Sequence, residues 1–399
     1  MVGSRARVIV AVSSLTALTA AAVLLLRDAE TPAPSAADPA AVPGLVPSEE
    51  PQRNTESLRA PSLGETAEAA TTPPLDKSDA KLLTHLAETS DDPRVVEASL
   101  EAISSTYAAR STRKPGPDAD LERVLVKHVH AERPTTALAA LTAARIALMA
   151  EQPREGVTRA IAELAAPEKP AARRYAALDA LNLLRPDRRD AHVLTAFERA
   201  LDAKEPHLVS LALLAVSQSG PSLALAPEAN RARFAERVVA LLGHYDPGVR
   251  GRALFALAEV ASLTAASTRF GAGKRGLADR EPYVRAQSAD LLARCRESAA
   301  LHLLIEHVAD LTPARYELRG WTQLDGKPGL LVHELPGRKR VAEAALFAMQ
   351  SLSESLDGSP ALTLQLGRQP TDEVVLQNAE FARAWYRANQ RSIPSDSSR

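Results

Sequence analysis

Residues 246–260 read DPGVRGRALFALAEV, which combines a helix start with an apolar stripe. Asp246 can accept hydrogen bonds from the free N–H groups of a first turn, and Pro247 stands where its missing N–H costs nothing. Apolar residues then recur at helical spacing: Val249, Ala253, Leu254, Leu257 and Val260. The pattern predicts a helix that begins at Pro247 and buries one face.

The same proline-led start recurs along the chain. The prolines are Pro93, Pro134, Pro170, Pro206, Pro247 and Pro282, spaced by 41, 36, 36, 41 and 35 residues. Six positions after each proline comes a small residue, where two packed helices can approach closely: Ser99, Ala140, Ala176, Ala212, Ala253 and Ser288. The period predicts stacked helical hairpins, in which a preceding helix such as residues 233–242 completes each pair.

The composition indicates an all-α protein without a strong overall charge. Hydrophobic residues make up 45% of the 399 residues and aromatic residues only 4%, so the apolar content is mostly alanine, leucine and valine. The 48 basic and 49 acidic residues give a formal net charge of −1, which provides no global attraction for nucleic acid or an anionic surface. The one cysteine, Cys295, excludes an intrachain disulfide and a four-thiolate metal site.

Residues 8–26 form an uncharged apolar run, with Arg5 and Arg7 before it and Arg27 after it. As a helix this run would be ~29 Å long, close to the thickness of a hydrocarbon core. The preceding positive charges predict a cytoplasmic segment over 1–7, a transmembrane signal-anchor over 8–26 and a body outside the cytoplasm. The alternative is a cleaved signal peptide, although the run is long for one and no small-x-small site stands just beyond it.

Residues 27–76 are rich in proline and alanine and contain no aromatic residue. Such a segment cannot bury enough apolar surface to order itself, so we expect a disordered linker that tethers the body near the membrane. The sequence thus predicts a single-pass protein of a bacterial inner membrane, with its amino terminus cytoplasmic and its body periplasmic. Cleavage of the amino-terminal segment would instead make it a secreted protein.

The start Asp-Pro-x-Val-Arg, followed by alanine and leucine, resembles the second-helix start of HEAT repeats, particularly the short HEAT-like repeats of bacterial proteins. The best matches begin at Asp246 and Glu281, and the resemblance covers residues 77–310. It implies a right-handed α-solenoid of six or seven helical hairpins that presents a binding surface and performs no chemistry.

Beyond Asp310 the period fails, so residues 311–391 are predicted to form an irregular carboxyl-terminal cap of the solenoid. Glycines and an Asp325-Gly326 turn between Tyr316 and Leu335 indicate a hairpin or an ordered loop. A helix is expected over 338–356, and a final helix with Thr371 as its amino-terminal cap closes the open end. Residues 392–399 are expected to be a disordered tail.

Two residue clusters could carry a ligand, but neither has the required spacing. His302 and Glu306 share a predicted helix face, whereas His307 points away, so the two-histidine step of a metalloprotease is absent. The run Gly271–Gly276 is rich in glycine, yet no strand precedes it and Arg275 occupies the place of a P-loop serine or threonine. We interpret it as a basic loop between helices and predict no metal and no cofactor.

Two further candidates concern nucleophiles. Residues 111–114 match the Ser-x-x-Lys spacing of some acyl enzymes, but Pro115-Gly116-Pro117 follows at once and indicates a loop. Cys295 stands between Arg294 and Arg296, which would lower the pKa of an exposed thiol. We favour burial of Cys295 as a small core residue.

Arg173, Arg250 and Arg285 each come three residues after a period proline, so they should align along the stack. They could form a basic surface for an acidic partner. The alternative, which we favour, is hydrogen bonding between repeats to capping carboxylates such as Asp246.

Trp321 and Tyr316, with Trp385 and Tyr386, are the candidate aromatic anchors for a partner. In a chain so poor in aromatic residues, we expect them to fill the carboxyl-terminal core instead. Arg173, Arg250, Arg285 and Trp321 are therefore the candidate partner-binding residues.

The function that these features predict is a membrane-anchored, periplasm-facing scaffold that binds a protein or peptide through its helical surface. No catalysis, nucleic acid or small-molecule substrate is expected. Two alternatives stay open: an enzyme, because HEAT-like repeats resemble those of phycobilin lyases, and a secreted soluble binding protein after signal cleavage.

Overall fold

A computed structural model describes residues 77–109, 119–148, 155–321, 328–333, 340–356, 358–367 and 370–394. The chain divides into two units, Met1–Ala70 and Thr71–Arg399, and the described residues all belong to the second. The predicted signal-anchor over 8–26 and the predicted linker over 27–76 lie outside the described residues. Within the described ranges, no helix is long and apolar enough to cross a membrane.

The described chain is helical apart from one short β-hairpin. Its first helices are α1 Lys77–Thr89, α2 Pro93–Ala109, α3 Ala119–Val129, α4 Pro134–Leu148, α5 Glu155–Leu164, α6 Ala171–Asn182, α7 Ala191–Ala200 and α8 Pro206–Gln218. They continue with α9 Gly220–Leu225, α10 Glu228–Ala240, α11 Pro247–Glu259, α12 Ala266–Leu277, α13 Pro282–Cys295 and α14 Leu301–Leu304. Strands β1 Tyr316–Trp321 and β2 Pro328–His333 follow, and then α15 Val341–Ser353 and α16 Asp372–Asn389.

The helices pack in pairs that stack in chain order. In the described part of the chain the pairs are α1/α2, α3/α4, α5/α6, α7/α8, α10/α11, α12/α13 and α14/α15. The second helices of these pairs form an unbroken row in which each contacts the next, from α2 to α15. The first helices contact one another from α1 to α7. This order of contacts is that of a helical-repeat solenoid.

The proline-led helix starts are present at α2, α4, α8, α11 and α13. Asp246 caps α11 as expected, since its Oδ1 accepts from the Val249 N–H at 3.1 Å. Glu205 and Glu281 precede prolines in the same way but make no side-chain cap. Proline therefore sets where these helices begin whether or not an acid caps them, because its fixed φ suits the first helical position.

The third proline departs from this pattern. Pro170 has extended backbone (φ −53°, ψ 142°) and lies before α6, which begins one residue later at Ala171. The one-residue shift moves the small buried position from Ala176, which is partly exposed, to Ala177, which is fully buried. The expected register is thus wrong by one residue in this repeat.

Residues 271–276 are not an inter-helix loop, because they lie inside α12. A Cβ atom at Gly276 would collide with Ser288 Oγ and approach Leu254 Cδ1 to 3.1 Å. Ser288 is one of the small residues predicted at close helix approaches, and it is fully buried. The glycine run therefore lets α12 pack closely on α13 rather than cradling a phosphate.

The segment for which glycines indicated a hairpin or an ordered loop contains two antiparallel strands, with Tyr316 opposite His333 and Trp321 opposite Pro328. After them α15 continues the row of second helices, and α16 packs on α15. Thr371 caps α16 as predicted, accepting from the Val374 N–H at 3.4 Å. Two apolar cores result: one extends from Ala87 to Cys295, and the other lies around α15 and α16.

Candidate partner-binding surface

Arg250 joins the loops of two successive helix pairs. Its guanidinium donates two hydrogen bonds of 2.8 Å to the Asp279 carboxylate in the loop after α12. The remaining Nη1 donates to the carbonyls of His244 and Tyr245, at 2.9 and 3.1 Å, in the loop before α11. The Arg250 and Asp279 side chains are only 11% and 15% exposed, so this bidentate pair is largely shielded from water.

Arg285 repeats the arrangement one repeat further along. It donates to Asp310 Oδ2 at 2.8 and 3.1 Å and to the carbonyls of Asp279 and Arg280 at 3.0 Å each. Burial alone would raise the pKa of Asp279, but hydrogen bonds from Arg250 and the Glu281 N–H hold it below its usual range. Burial would likewise raise the pKa of Asp310, but hydrogen bonds from Thr312 and Arg285 lower it below its usual range. We call these two rungs, Arg250–Asp279 and Arg285–Asp310, the arginine ladder.

Arg173 does not extend this ladder. It donates to the carbonyls of Ala131 and Glu132 at 3.0 and 2.8 Å, in the loop of the preceding repeat. Because α6 begins one residue late, the position equivalent to Arg250 is held by Arg174, which is buried and lies 3.5 Å from the carboxylate of Glu205. All three predicted arginines bond between or within loops of the stack.

The carboxylates of the ladder are not the expected capping acids. Asp279 and Asp310 belong to loops, whereas Asp246, which was expected to pair with an arginine, caps α11 with one oxygen. Its other oxygen, Oδ2, accepts a hydrogen bond of 2.9 Å from the Tyr316 hydroxyl, 70 residues further along the chain. This bond marks the place where the β-hairpin meets the helices.

Strand β1 lies against the row of second helices, where it contacts α6, α8 and α11. Three successive repeats thus hold one extended segment of the chain. Trp321, the fourth predicted partner-binding residue, is the last residue of β1; its side chain is outside the described structure. The strand pairs with antiparallel β2.

Tyr316 begins β1 and occupies a defined seat at the amino-terminal ends of α11 and α13. Its ring stacks on Tyr283 with centroids 5.8 Å apart. A Cβ atom at Gly248 would lie 2.7 Å from Tyr316 Cδ1, so only glycine leaves room for the ring. Burial and the neighbouring Asp246 carboxylate raise the pKa of the Tyr316 phenol, which therefore stays a hydrogen-bond donor. We call Asp246, Gly248 and Tyr283 the tyrosine seat.

Helix α8 is buried on nearly all sides, including a face that carries polar residues. His207, Ser210 and Ser217 lie on this face and are 3%, 1% and 7% exposed. Burial lowers the pKa of His207, and its Nε2 has no hydrogen-bond partner. The Nε of Arg174, on the neighbouring helix α6, also lacks one. Buried polar atoms of this kind carry a cost of ~1–3 kcal/mol each.

The other candidate residues that the structure describes make contacts within the fold. His302 Nδ1 and the Tyr386 hydroxyl are 2.6 Å apart, which joins α14 to α16. Cys295 is buried as predicted, and burial raises the pKa of its thiol despite a hydrogen bond from Arg269. Among the described residues, no three His, Cys, Asp or Glu side chains are grouped to hold a metal ion. The Ser-x-x-Lys residues 111–114 lie outside the described ranges.

Sequence reasoning placed Tyr316 in the carboxyl-terminal core with Trp385 and Tyr386. The last two do pack there, but Tyr316 packs against the core of the repeats. One indication was available: Gly248 is the second residue of α11, where a better helix former would be expected unless something approaches the backbone. What approaches it could not be read from local sequence.

Comparison with known proteins gives a likeness of fold at low identity. No protein-family model and no curated protein matches the chain. Among solved structures, importin beta is 12% identical with a TM-score of 0.47, over 78% of this chain and 44% of that one. The Kap95:Nup1 complex gives 10% identity and a TM-score of 0.49, over 80% and 48%. An engineered protein gives 16% and 0.39, over 54% and 98%. The chain thus spans less than half the length of the importin beta and Kap95 chains it resembles.

The class of the protein follows from its own helix contacts. Seven described helix pairs stack in chain order, with one continuous row of second helices, which defines a helical-repeat solenoid. The extended strand β1 is not part of the repeat. It contacts the second helices of three repeats, and Tyr316 bonds it to Asp246.

Proposed function

We propose that this protein is a scaffold that binds a protein or peptide partner through its row of second helices. The observation that carries the proposal is β1, an extended segment that already lies across α6, α8 and α11. Repeat proteins stack neighbouring units into long surfaces of this kind, and extended segments add main-chain hydrogen bonds and side-chain contacts when they bind. A surface that holds one strand has the geometry to hold another.

The finer form of the proposal joins this surface to the amino-terminal sequence. The apolar run 8–26 would anchor the protein in a bacterial inner membrane, and residues 27–76 would tether the HEAT-like body in the periplasm. The scaffold would then act as a non-enzymatic binding protein close to the membrane. This form is supported by the charge bias and the composition of the sequence.

Site-specific photocrosslinking in native cells tests the binding surface. A photoreactive residue at Leu214, on the polar face of α8, should form a discrete adduct with a partner, since this side chain is only partly buried. The same group at His192, exposed on the first helix α7, is the matched control and should not form that adduct. Equal adducts at both sites would show that the row of second helices is not the binding surface.

The membrane arrangement has its own test. Amino-terminal sequencing of the mature protein from a membrane fraction should find Met1 if the segment is an anchor. A mature terminus beyond residue 27 would show cleavage and would remove the anchored form of the proposal while leaving the binding surface intact.

A further inference from the structure

Strand β1 contacts α8, a helix that buries polar residues as well as apolar ones. His207, Ser210 and Ser217 of α8 are buried, and the nitrogen Nε2 of His207 is left without a partner. Interfaces between separable parts of a chain are more polar than hydrophobic cores. Burying polar groups on a helix that contacts the strand lowers the net free energy gained by packing there.

Tyr316, the first residue of β1, has well-defined side-chain contacts. The Tyr316 hydroxyl donates to Asp246, its ring stacks on Tyr283, and the missing Cβ of Gly248 leaves room for it. The acceptor is one oxygen of a carboxylate whose other oxygen caps α11, so Asp246 is held in place by the helix itself. Glu281 also lies near enough to raise the pKa of the phenol. The seat thus has an aromatic wall, a fixed anionic acceptor and a second acidic neighbour.

These surroundings specify the chemistry of an occupant. A neutral phenol satisfies the acceptor and stacks on the aromatic wall, because a hydrogen bond to a charged acceptor is stronger than one between neutral groups. A phosphorylated phenol would bring negative charge beside two carboxylates and is disfavoured. Tyr316 is the first residue of β1, so an occupant that follows the same path begins an extended segment with its tyrosine.

We propose that β1 is an intramolecular ligand, and that the partner of this scaffold presents an extended segment with an unmodified tyrosine that takes the place of Tyr316 in the seat. The inference rests on the proposed function and specifies its partner: a peptide that lies across α6, α8 and α11 with its tyrosine stacked on Tyr283. The strand in the same chain competes with that segment at an effective concentration on the order of millimolar.

A synthetic peptide of residues 312–321, labelled with fluorescein, tests the inference by fluorescence anisotropy on the full chain. The Tyr316→Ala chain, whose own seat is vacated, should bind the peptide at least ~10-fold more tightly than the unaltered chain does. Adding Gly248→Ala should abolish this gain, because the new Cβ fills the seat. Gly271→Ala is the matched control, since a Cβ there meets nothing within 4 Å, and should leave binding unchanged.

The peptide itself supplies the chemical specificity. The Tyr316→Phe peptide should bind roughly 10-fold more weakly, as expected for the loss of one hydrogen bond to a charged acceptor. A peptide phosphorylated at Tyr316 should bind more weakly still. A scrambled peptide that binds as well as the native one would overturn the inference, as would equal binding to the Tyr316→Ala and unaltered chains.

Amide hydrogen exchange keeps the inference testable if Tyr316→Ala chains do not fold. Gly248→Ala alone should accelerate exchange in β1 and β2, whereas Gly271→Ala should not. Unchanged protection of β1 in Gly248→Ala would show that Tyr316 does not hold the strand. If the crosslinker at Leu214 captures a partner but the 312–321 peptide does not bind, the proposed tyrosine segment is refuted and the proposed scaffold function is retained. If the crosslinker captures no partner, the scaffold function itself is refuted.

Discussion

The Arg250–Asp279 rung should contribute measurably to stability, which a double-mutant cycle can isolate. Arg250→Gln removes the guanidinium, and Asp279→Asn removes the charge while keeping an oxygen for the Glu281 N–H. Asn matches Asp in size, whereas Gln is shorter than Arg. Because the effect of this shortening is present in both the single and the double variant, the cycle still isolates the coupling between the two charged groups.

The magnitude follows from the geometry and exposure of the pair. Two hydrogen bonds of 2.8 Å join groups that are 11% and 15% exposed. Exposed pairs give ~0–1 kcal/mol, and loss of one partner from a fully buried pair costs ~3–5 kcal/mol. We expect a coupling of ~2 kcal/mol in the free energy of unfolding. Arg250→Gln alone should cost more, ~3 kcal/mol, because it also removes bonds to two loop carbonyls.

Chemical denaturation of the four chains gives the coupling directly, and the neighbouring pair Arg280–Glu281 is the matched control. Its atoms are 3.8 Å apart and its side chains are 82% and 36% exposed. The cycle of Arg280→Gln with Glu281→Gln should give a coupling below ~0.5 kcal/mol. A coupling at Arg250–Asp279 no larger than that of this control would refute the ladder as a stabilising contact.

Three further predictions concern the same body. Arg189→Met should cost ~2–4 kcal/mol in a denaturation experiment, because buried Arg189 donates to carbonyls at the ends of α6 and α8, whereas exposed Arg188→Met should cost under ~0.5 kcal/mol. Gly276→Ala should lower the melting temperature by overpacking against α13, at ~1–2 kcal/mol, while Gly271→Ala should raise it slightly through helix propensity. Because the folded-state pKa of Asp279 is lowered, its contribution is fully present above the unfolded value of ~3.9 and is lost as pH falls through the folded value. A denaturation series from pH 5 to 2 should therefore show a smaller loss of stability in Asp279→Asn.

The repeat architecture was predictable because its determinants are local. A proline at the first helical position, followed by apolar residues at helical spacing, fixes both the start and the buried face of a helix. The prediction failed by one residue at Pro170, where the helix begins after the proline instead of with it. It also failed at residues 271–276, since glycines that indicate a loop locally are retained in α12 by the contact with Ser288.

The candidate site was less predictable because its contacts join distant parts of the chain. The identity of the ladder carboxylates depends on the offset between stacked loops, and Asp279 stands 29 residues from Arg250. The seat of Tyr316 depends on a contact across 70 residues, made by a strand outside the repeat. Periodicity describes what each repeat shares, so it carries no information on a segment that occurs once.

The arginine ladder and the tyrosine seat offer different groups to a partner. The guanidinium groups of Arg250 and Arg285 already donate hydrogen bonds to Asp279 and Asp310. They are therefore not free to bind the carboxylates of an acidic partner. The seat beside them carries the opposite charge, with Asp246 as its acceptor. Selection of a partner there would rest on a neutral donor and a stacked ring, which bind over short range and discriminate by fit. A surface built in this way suits a specific extended segment better than an acidic one, and it would release its own strand only to a competitor that supplies the same phenol.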